Sequence, residues 1–248
     1  MADRVQVQTN SERFLTAFGS IERQLRLISG LDKRTRFYTL VDKAAERNAG
    51  VRRYADDLKE FADLRNAIVH ERTDEHVIAE PNDLAVRLIE HIADLLEHPP
   101  GVLPTFAKKV YTMTPEDPIS AAAYLMRHHG FSQLPIYDDQ GKFRALLTTE
   151  DITRWLGECA SEETISLQET TIARVMACHC QESGEDYLFF SRKNTFFDVL
   201  QAFQESERKG CQLVAILITE NGHPDESLLG IITIWDLPQI YETLDQRR

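Results

Sequence analysis

Two short segments share a spacing with chemical use. Thr148-Thr149-Glu150-Asp151 and Thr233-Ile234-Trp235-Asp236 each place a hydroxyl three residues before a carboxylate. Both follow an apolar run, Ala145-Leu146-Leu147 and Gly230-Ile231-Ile232, as where a strand runs into a helix. Free backbone N–H groups at a helix start suit a phosphate, and Thr148 or Thr233 adds a hydroxyl donor. A carboxylate there can accept two hydrogen bonds from a ribose diol. A plainer reading also stands, because a negative charge is favoured in a first helical turn. A third group is Arg65, Asn66 and His70. An imidazole can take the proton of a ribose 2'-hydroxyl and a guanidinium can stabilise phosphate charge, which is equipment for RNA cleavage without metal. Arg65 and His70 would equally serve to cap or salt-bridge a helix end. Cys178-His179-Cys180 offers metal-ligand types. Three ligands so close rarely close a tetrahedral site and no fourth is evident by spacing, so no metal is predicted.

The elements that must position these groups differ along the chain. Before residue 100 the apolar period is helical. Phe14, Phe18, Ile21, Leu25 and Ile28 recur at steps of three and four behind Asn10-Ser11, with Gly30 as a stop. A second helix is predicted from Thr35 to Ala49 with Gly50 after it, a third from Tyr54 to His70, and a fourth from Asp83 to Leu96. Asn66 and His70 lie one turn apart, nearly opposite the apolar stripe of the third helix. Four helices with short joins predict an antiparallel four-helix bundle. Glu97-His98-Pro99-Pro100-Gly101 then breaks the pattern, and the domain boundary is placed there.

Beyond it the period shortens and the chain repeats. A strand-like run Val110–Thr114, a helix Ile119–His129 ending at Gly130, a hairpin from Leu134–Tyr137 and Arg144–Leu147 about Asp138–Gly141, and a helix near Asp151 form one unit. The order returns as Tyr187–Ser191, Thr195–Lys209, Leu213–Ile218, Asn221-Gly222, Leu228–Ile232 and a helix from Trp235. The segment Ala145–Ile152 aligns with Gly230–Leu237 at a separation of 85 positions, so an internal duplication is the simplest account. The predicted fold class is therefore α plus α/β, a four-helix bundle followed by a tandem β-α-β-β-α pair. Its predicted domains are residues 1–100, 101–165 and 166–248.

Composition limits the partners. The 248 residues are 42% hydrophobic and 27% charged, too apolar for a disordered chain. With 40 acidic against 28 basic residues the formal charge is -12, so nucleic acid would need a local basic patch. Lys108, Lys109, His128, His129, Arg144, Arg192 and Lys193 can supply charge to a phosphate, or are simply surface residues. No run of 18 apolar residues and no apolar signal-peptide core appears, which predicts a cytoplasmic protein with no membrane partner. The four cysteines show no disulfide-scaffold spacing and fit a reducing compartment.

The repeated unit, with its small-apolar-apolar-Thr-x-x-Asp endings, resembles a CBS motif, and the pair resembles a Bateman module over roughly 130 residues. The resemblance implies adenine-nucleotide sensing, with AMP, ADP or ATP ahead of S-adenosylmethionine. It implies Thr148 and Asp151 in one cleft, Thr233 and Asp236 in the other, and a contact from Thr112 in the first strand. Ala145 stands where the family favours glycine, and Phe189 stands in the second copy at the position of Thr112. Leu64-Arg65-Asn66-Ala67-Ile68-Val69-His70-Glu71 resembles the Arg-polar-x-x-x-His motif of the HEPN superfamily of four-helix bundles. That implies Arg65, Asn66 and His70 as residues of an endoribonuclease, or a bundle used for binding, with RNA as a partner. Both resemblances imply a homodimer.

Overall fold

The computed structural model describes residues 8–70, 72–73, 76–77, 80–161, 164–178 and 186–245. Its backbone divides into two compact units. The first holds residues 1–100, 195–201 and 237–248, and the second holds residues 101–194 and 202–236.

The first unit is helical. Helix α1 (Asn10–Ser29) opens with a capping box in which Thr9 Oγ1 accepts from the Glu12 N–H and the Glu12 carboxylate accepts from the Thr9 N–H. It closes at Gly30, whose φ of 70° lets its N–H reach the carbonyl of Arg26. The cap is Thr9, one residue before the predicted Asn10-Ser11 signal. Instead of one helix to Ala49, the chain forms α2 (Phe37–Ala45) and a short α3 (Ala49–Arg53). The break follows from Asn48, whose side chain accepts from the Val51 N–H at 2.9 Å and starts a new helix. Gly50 is accordingly a buried helical residue and not a stop, with a Cβ there 3.0 Å from the Phe197 ring. Helix α4 (Ala55–His70) and α5 (Asp83–Glu97) follow, joined through β1 (Arg72–Thr73) and β2 (His76–Val77), a two-residue antiparallel pair. Phe14, Ile21, Leu25, Leu40, Leu58, Ile89 and Ile92 are fully buried. Each buried side chain of this size contributes about 1.5–3 kcal/mol.

The second unit carries the repeat. In the first copy α6 (Ile119–His129) leads to a hairpin of β3 (Gln133–Tyr137) and β4 (Phe143–Thr148), then α7 (Thr149–Glu158). Val110–Thr114 forms a single parallel bridge, Met113 to Ile136, where a strand was predicted. After the short α8 (Ile172–Met176), the second copy completes the same plan. Here β5 (Tyr187–Ser191) pairs parallel with β6 (Ala215–Thr219), which pairs antiparallel with β7 (Gly230–Thr233). Between β5 and β6 lies α9 (Phe196–Arg208), within which the two units divide, and α10 (Leu237–Asp245) follows β7 in the first unit. Two cores fill the second unit. Ile119, Met126, Leu134, Ile136, Leu147 and Trp155 form one, and Phe143 and Leu146 pack with Ala215 and Leu217 in the other. Phe189 stands 5.1 Å from the Phe143 ring, edge to face, so it serves packing.

Candidate functional site

Both predicted Thr-x-x-Asp endings turn the threonine onto its own aspartate. In the first copy the Thr148 N–H and hydroxyl donate to Asp151 Oδ2 at 2.8 and 2.6 Å, while the Asp151 N–H donates to Thr148 Oγ1 at 3.1 Å. In the second, the Thr233 N–H and hydroxyl donate to Asp236 Oδ2 at 2.7 and 3.0 Å. Each threonine proton is therefore aimed at its own aspartate. The device is general: Thr195 donates to Asp198 and Ser191 to Asn194 in the same way, and the Thr114 N–H donates to Asp117. The Ser/Thr-x-x-Asp/Asn spacing of those three pairs was present in the sequence and marks strand-to-helix turns as much as ligand sites.

What separates the two endings is access. Thr148 and Asp151 are only 7% and 4% exposed, and Trp155 only 1%, so the first ending is built into the core. The Asp236 side chain is 23% exposed and Trp235 is 83% exposed. The cause is local. Helix α7 begins at once after Thr148, but β7 runs into a 3₁₀ turn, Ile234–Asp236, before α10 starts. Trp235 corresponds to Glu150, and the buried counterpart of Trp155 is Ile240.

Gly230 brings a charge to the second ending. Its missing Cβ lets the backbone of Phe106 approach to where a methyl would lie 2.1 Å from the Phe106 carbonyl oxygen. Ala107 bridges antiparallel to Gly230, and the Lys108 N–H donates to the Leu229 carbonyl at 3.2 Å. This crossing carries the Lys108 ammonium to 4.0 Å from Asp236 Oδ1. The pair is half exposed, and such pairs contribute about 0–1 kcal/mol, so a ligand can replace it without large cost. The first copy carries Ala145 at the register of Gly230.

Thr112 is exposed and lies elsewhere, on a cleft of about 720 Å³ with Val110, Tyr137 and the turns 138–141 and 225–228. None of Thr148, Asp151, Thr233 and Asp236 lines it. Asp117, Asp138, Asp139, Asp225 and Glu226 make it acidic and repellent to phosphate. Besides Asp117, two of these carboxylates hold turns. Asp138 accepts from the Gln140 and Lys142 N–H groups and pairs with Arg144. Glu226 accepts from the N–H and side-chain amide of Asn221, which lowers its pKa to about 2. Burial, with Asp225 nearby, pushes the Tyr137 phenol up to about 12.

In the first unit Arg65 and Asn66 sit on α4, with Arg65 Nη1 donating to Asn66 Oδ1 at 3.3 Å. The side chain of His70 lies outside the described residues, as do His179 and Cys180. Among the described residues no three His, Cys, Asp or Glu side chains are grouped to hold a metal, and no helix is long and apolar enough to cross a membrane.

The family model for the CBS domain matches residues 106–158. No curated protein matches the chain. Among solved structures, a CBS-domain containing protein from Agrobacterium tumefaciens aligns at 16% identity over 54% of this chain and 85% of its own, with a TM-score of 0.40. The CBS domain pair of protein MJ0100, in complex with 5-methylthioadenosine and S-adenosyl-L-methionine, aligns at 15% over 56% and 92%, with a TM-score of 0.38. CBSX2 in complex with AMP aligns at 14% over 54% and 89%, with a TM-score of 0.39. The chain thus carries a CBS domain at residues 106–158, preceded by a helical region.

Proposed function

We propose that this protein is an adenine-nucleotide-responsive regulator whose ligand binds beside Asp236 and sets the state of a HEPN-like helical bundle at residues 1–100. The CBS motifs of the pair are residues 101–165 and 166–248, and the working unit is a homodimer. The observation that carries this reading is the pairing of Asp236 Oδ1 with Lys108 at 4.0 Å. Oδ2 is occupied by Thr233, which leaves Oδ1 to accept from a ribose diol, and Lys108 can turn to a phosphate. AMP, ADP and ATP carry both partners. S-adenosylmethionine has the diol but brings a cation towards Lys108, which disfavours it. Regulation requires that the nucleotide bind one state of the helical bundle better than another.

Calorimetric titration of the full chain with AMP, ADP, ATP and S-adenosylmethionine tests this. At least one of the three nucleotides binds, Asp236→Ala abolishes that binding, and Lys108→Ala weakens it about tenfold, the order expected for one charge-assisted contact. Silence with all four compounds, or full-strength binding by Asp236→Ala, overturns the assignment.

A second reading makes the helical bundle a ligand-regulated, metal-independent endoribonuclease using Arg65, Asn66 and His70. It is favoured by the contact that holds Arg65 and Asn66 together on α4, where Asn66 is exposed. Single-stranded RNA or tRNA cut in EDTA by wild type and not by His70→Ala supports it. Equal cleavage by both proteins ends it.

A further inference from the structure

A run of rings covers the end of α6 in the first copy. Tyr124 and His128 lie parallel at 5.7 Å, His128 meets His129 edge-on at 5.0 Å, and His129 closes a cluster with Tyr111 at 4.5 Å and Phe131 at 5.2 Å, whose rings are 5.7 Å from each other. Lys109 places its ammonium 5.5 Å from the centre of the Tyr111 ring. Tyr111 and Phe131 rest on the core beneath, which anchors one end of the array, while Tyr124, 69% exposed, leaves the other end open. Arg127 also complements the carboxyl end of the α6 dipole, a role that accounts for its charge. It does not account for the exposed Tyr124, or for Lys109, which lies outside the helix. Among the described residues neither Lys109 nor Arg127 has a carboxylate partner, in a chain whose net charge is -12.

We infer that this array is a contact surface for single-stranded RNA. The exposed Tyr124 ring offers a π face to an unpaired base beside the inner ring cluster, and Lys109 and Arg127 offer separate cations to the neighbouring phosphates. A strand is favoured over a mononucleotide because the Tyr124–His128 pair and the Tyr111–His129–Phe131 cluster are two ring groups, and one base covers only one of them. The surface is independent of the Asp236 cleft and of any cleavage chemistry.

The test is fluorescence anisotropy of labelled 12-nucleotide oligo(A) and oligo(U) RNA with the full chain. Tyr124→Leu keeps the apolar bulk and removes an exposed π face, and it weakens binding about tenfold, as loss of one base stack would. Lys109→Glu with Arg127→Glu weakens both oligomers alike and flattens the dependence of log K on log salt by about one to two. AMP in excess leaves the RNA bound. Binding by Tyr124→Leu at wild-type strength, displacement by AMP at equimolar concentration, or equal competition by base-free heparin each overturns the inference. Tyr124, Lys109 and Arg127 are all exposed, so these substitutions leave the core intact.

Discussion

The α-carbon of Gly230 lies against the backbone of Phe106 so closely that an added methyl would sit 2.1 Å from the Phe106 carbonyl oxygen. The obstacle is main chain and cannot swing aside, so the Ala107 bridge must open to admit a side chain. Gly230→Ala therefore costs about 1–3 kcal/mol in urea unfolding, the range for forced overpacking. It also displaces Lys108 and weakens the nucleotide. Ala145→Gly at the matching register of the first copy costs roughly 0.5–1 kcal/mol, the entropy of a strand glycine. Equal losses at the two positions would refute the account of why the copies differ.

Asp151 and Asp236 occupy equivalent positions and should respond oppositely. Asp151→Ala strips a buried capping box and leaves the Thr148 N–H without its acceptor, at a cost of about 1–3 kcal/mol, while nucleotide affinity stays unchanged. Asp236→Ala, at a part-exposed turn, costs about 0.5–1 kcal/mol and removes the affinity. Thermal unfolding and calorimetry on both variants read stability and affinity separately. Loss of nucleotide binding in Asp151→Ala at unchanged stability would reverse the assignment of the clefts.

Periodicity made the helices and the duplication readable, because a buried stripe at 3.6 residues and an 85-residue echo are both one-dimensional signals. Ile119–His129, Tyr187–Ser191 and the hairpin were legible for that reason. The break at Asn48 was not, since an Asn cap only outweighs helix continuation once Gly50 and Val51 are buried. For the site, the spacing of Thr148 and Asp151 was legible but their burial was not. Sequence sees identical residues, and only packing tells that one carboxylate is enclosed while the other faces Lys108. The ring array was hidden for a similar reason, as Tyr111 precedes α6 and His129 ends it, and only folding brings the two rings together.

The turn at Asn221 should loosen in acid. Glu226 has its pKa lowered to about 2 by the side-chain amide and N–H of Asn221, against an ordinary value of 4.5. A lowered carboxylate stabilises the fold at pH values above its unfolded pKa, and that contribution is lost as pH falls through the folded one. The loss therefore runs from about 4.5 down to about 2. Amide chemical shifts of Asn221 should move across this window in wild type and stay flat in Glu226→Gln. Movement confined to pH above 5 would contradict the assignment.

His91 on α5 is 5% exposed, and its Nε2 lies 2.6 Å from the carbonyl oxygen of Leu244 on α10. A carbonyl accepts only, so Nε2 donates to it, and Nδ1 has no partner among the described residues. The ring thus satisfies one group and leaves another unmet, which makes the two ways of replacing it informative. His91→Leu removes the unmet nitrogen but leaves the Leu244 carbonyl without this donor, and it costs about 1–3 kcal/mol in urea unfolding. His91→Gln keeps an N–H donor for that carbonyl and recovers part of the loss, because the donor and not the ring volume is what α10 requires. Were the leucine variant as stable as wild type, the hydrogen bond would contribute nothing to holding α10 on α5.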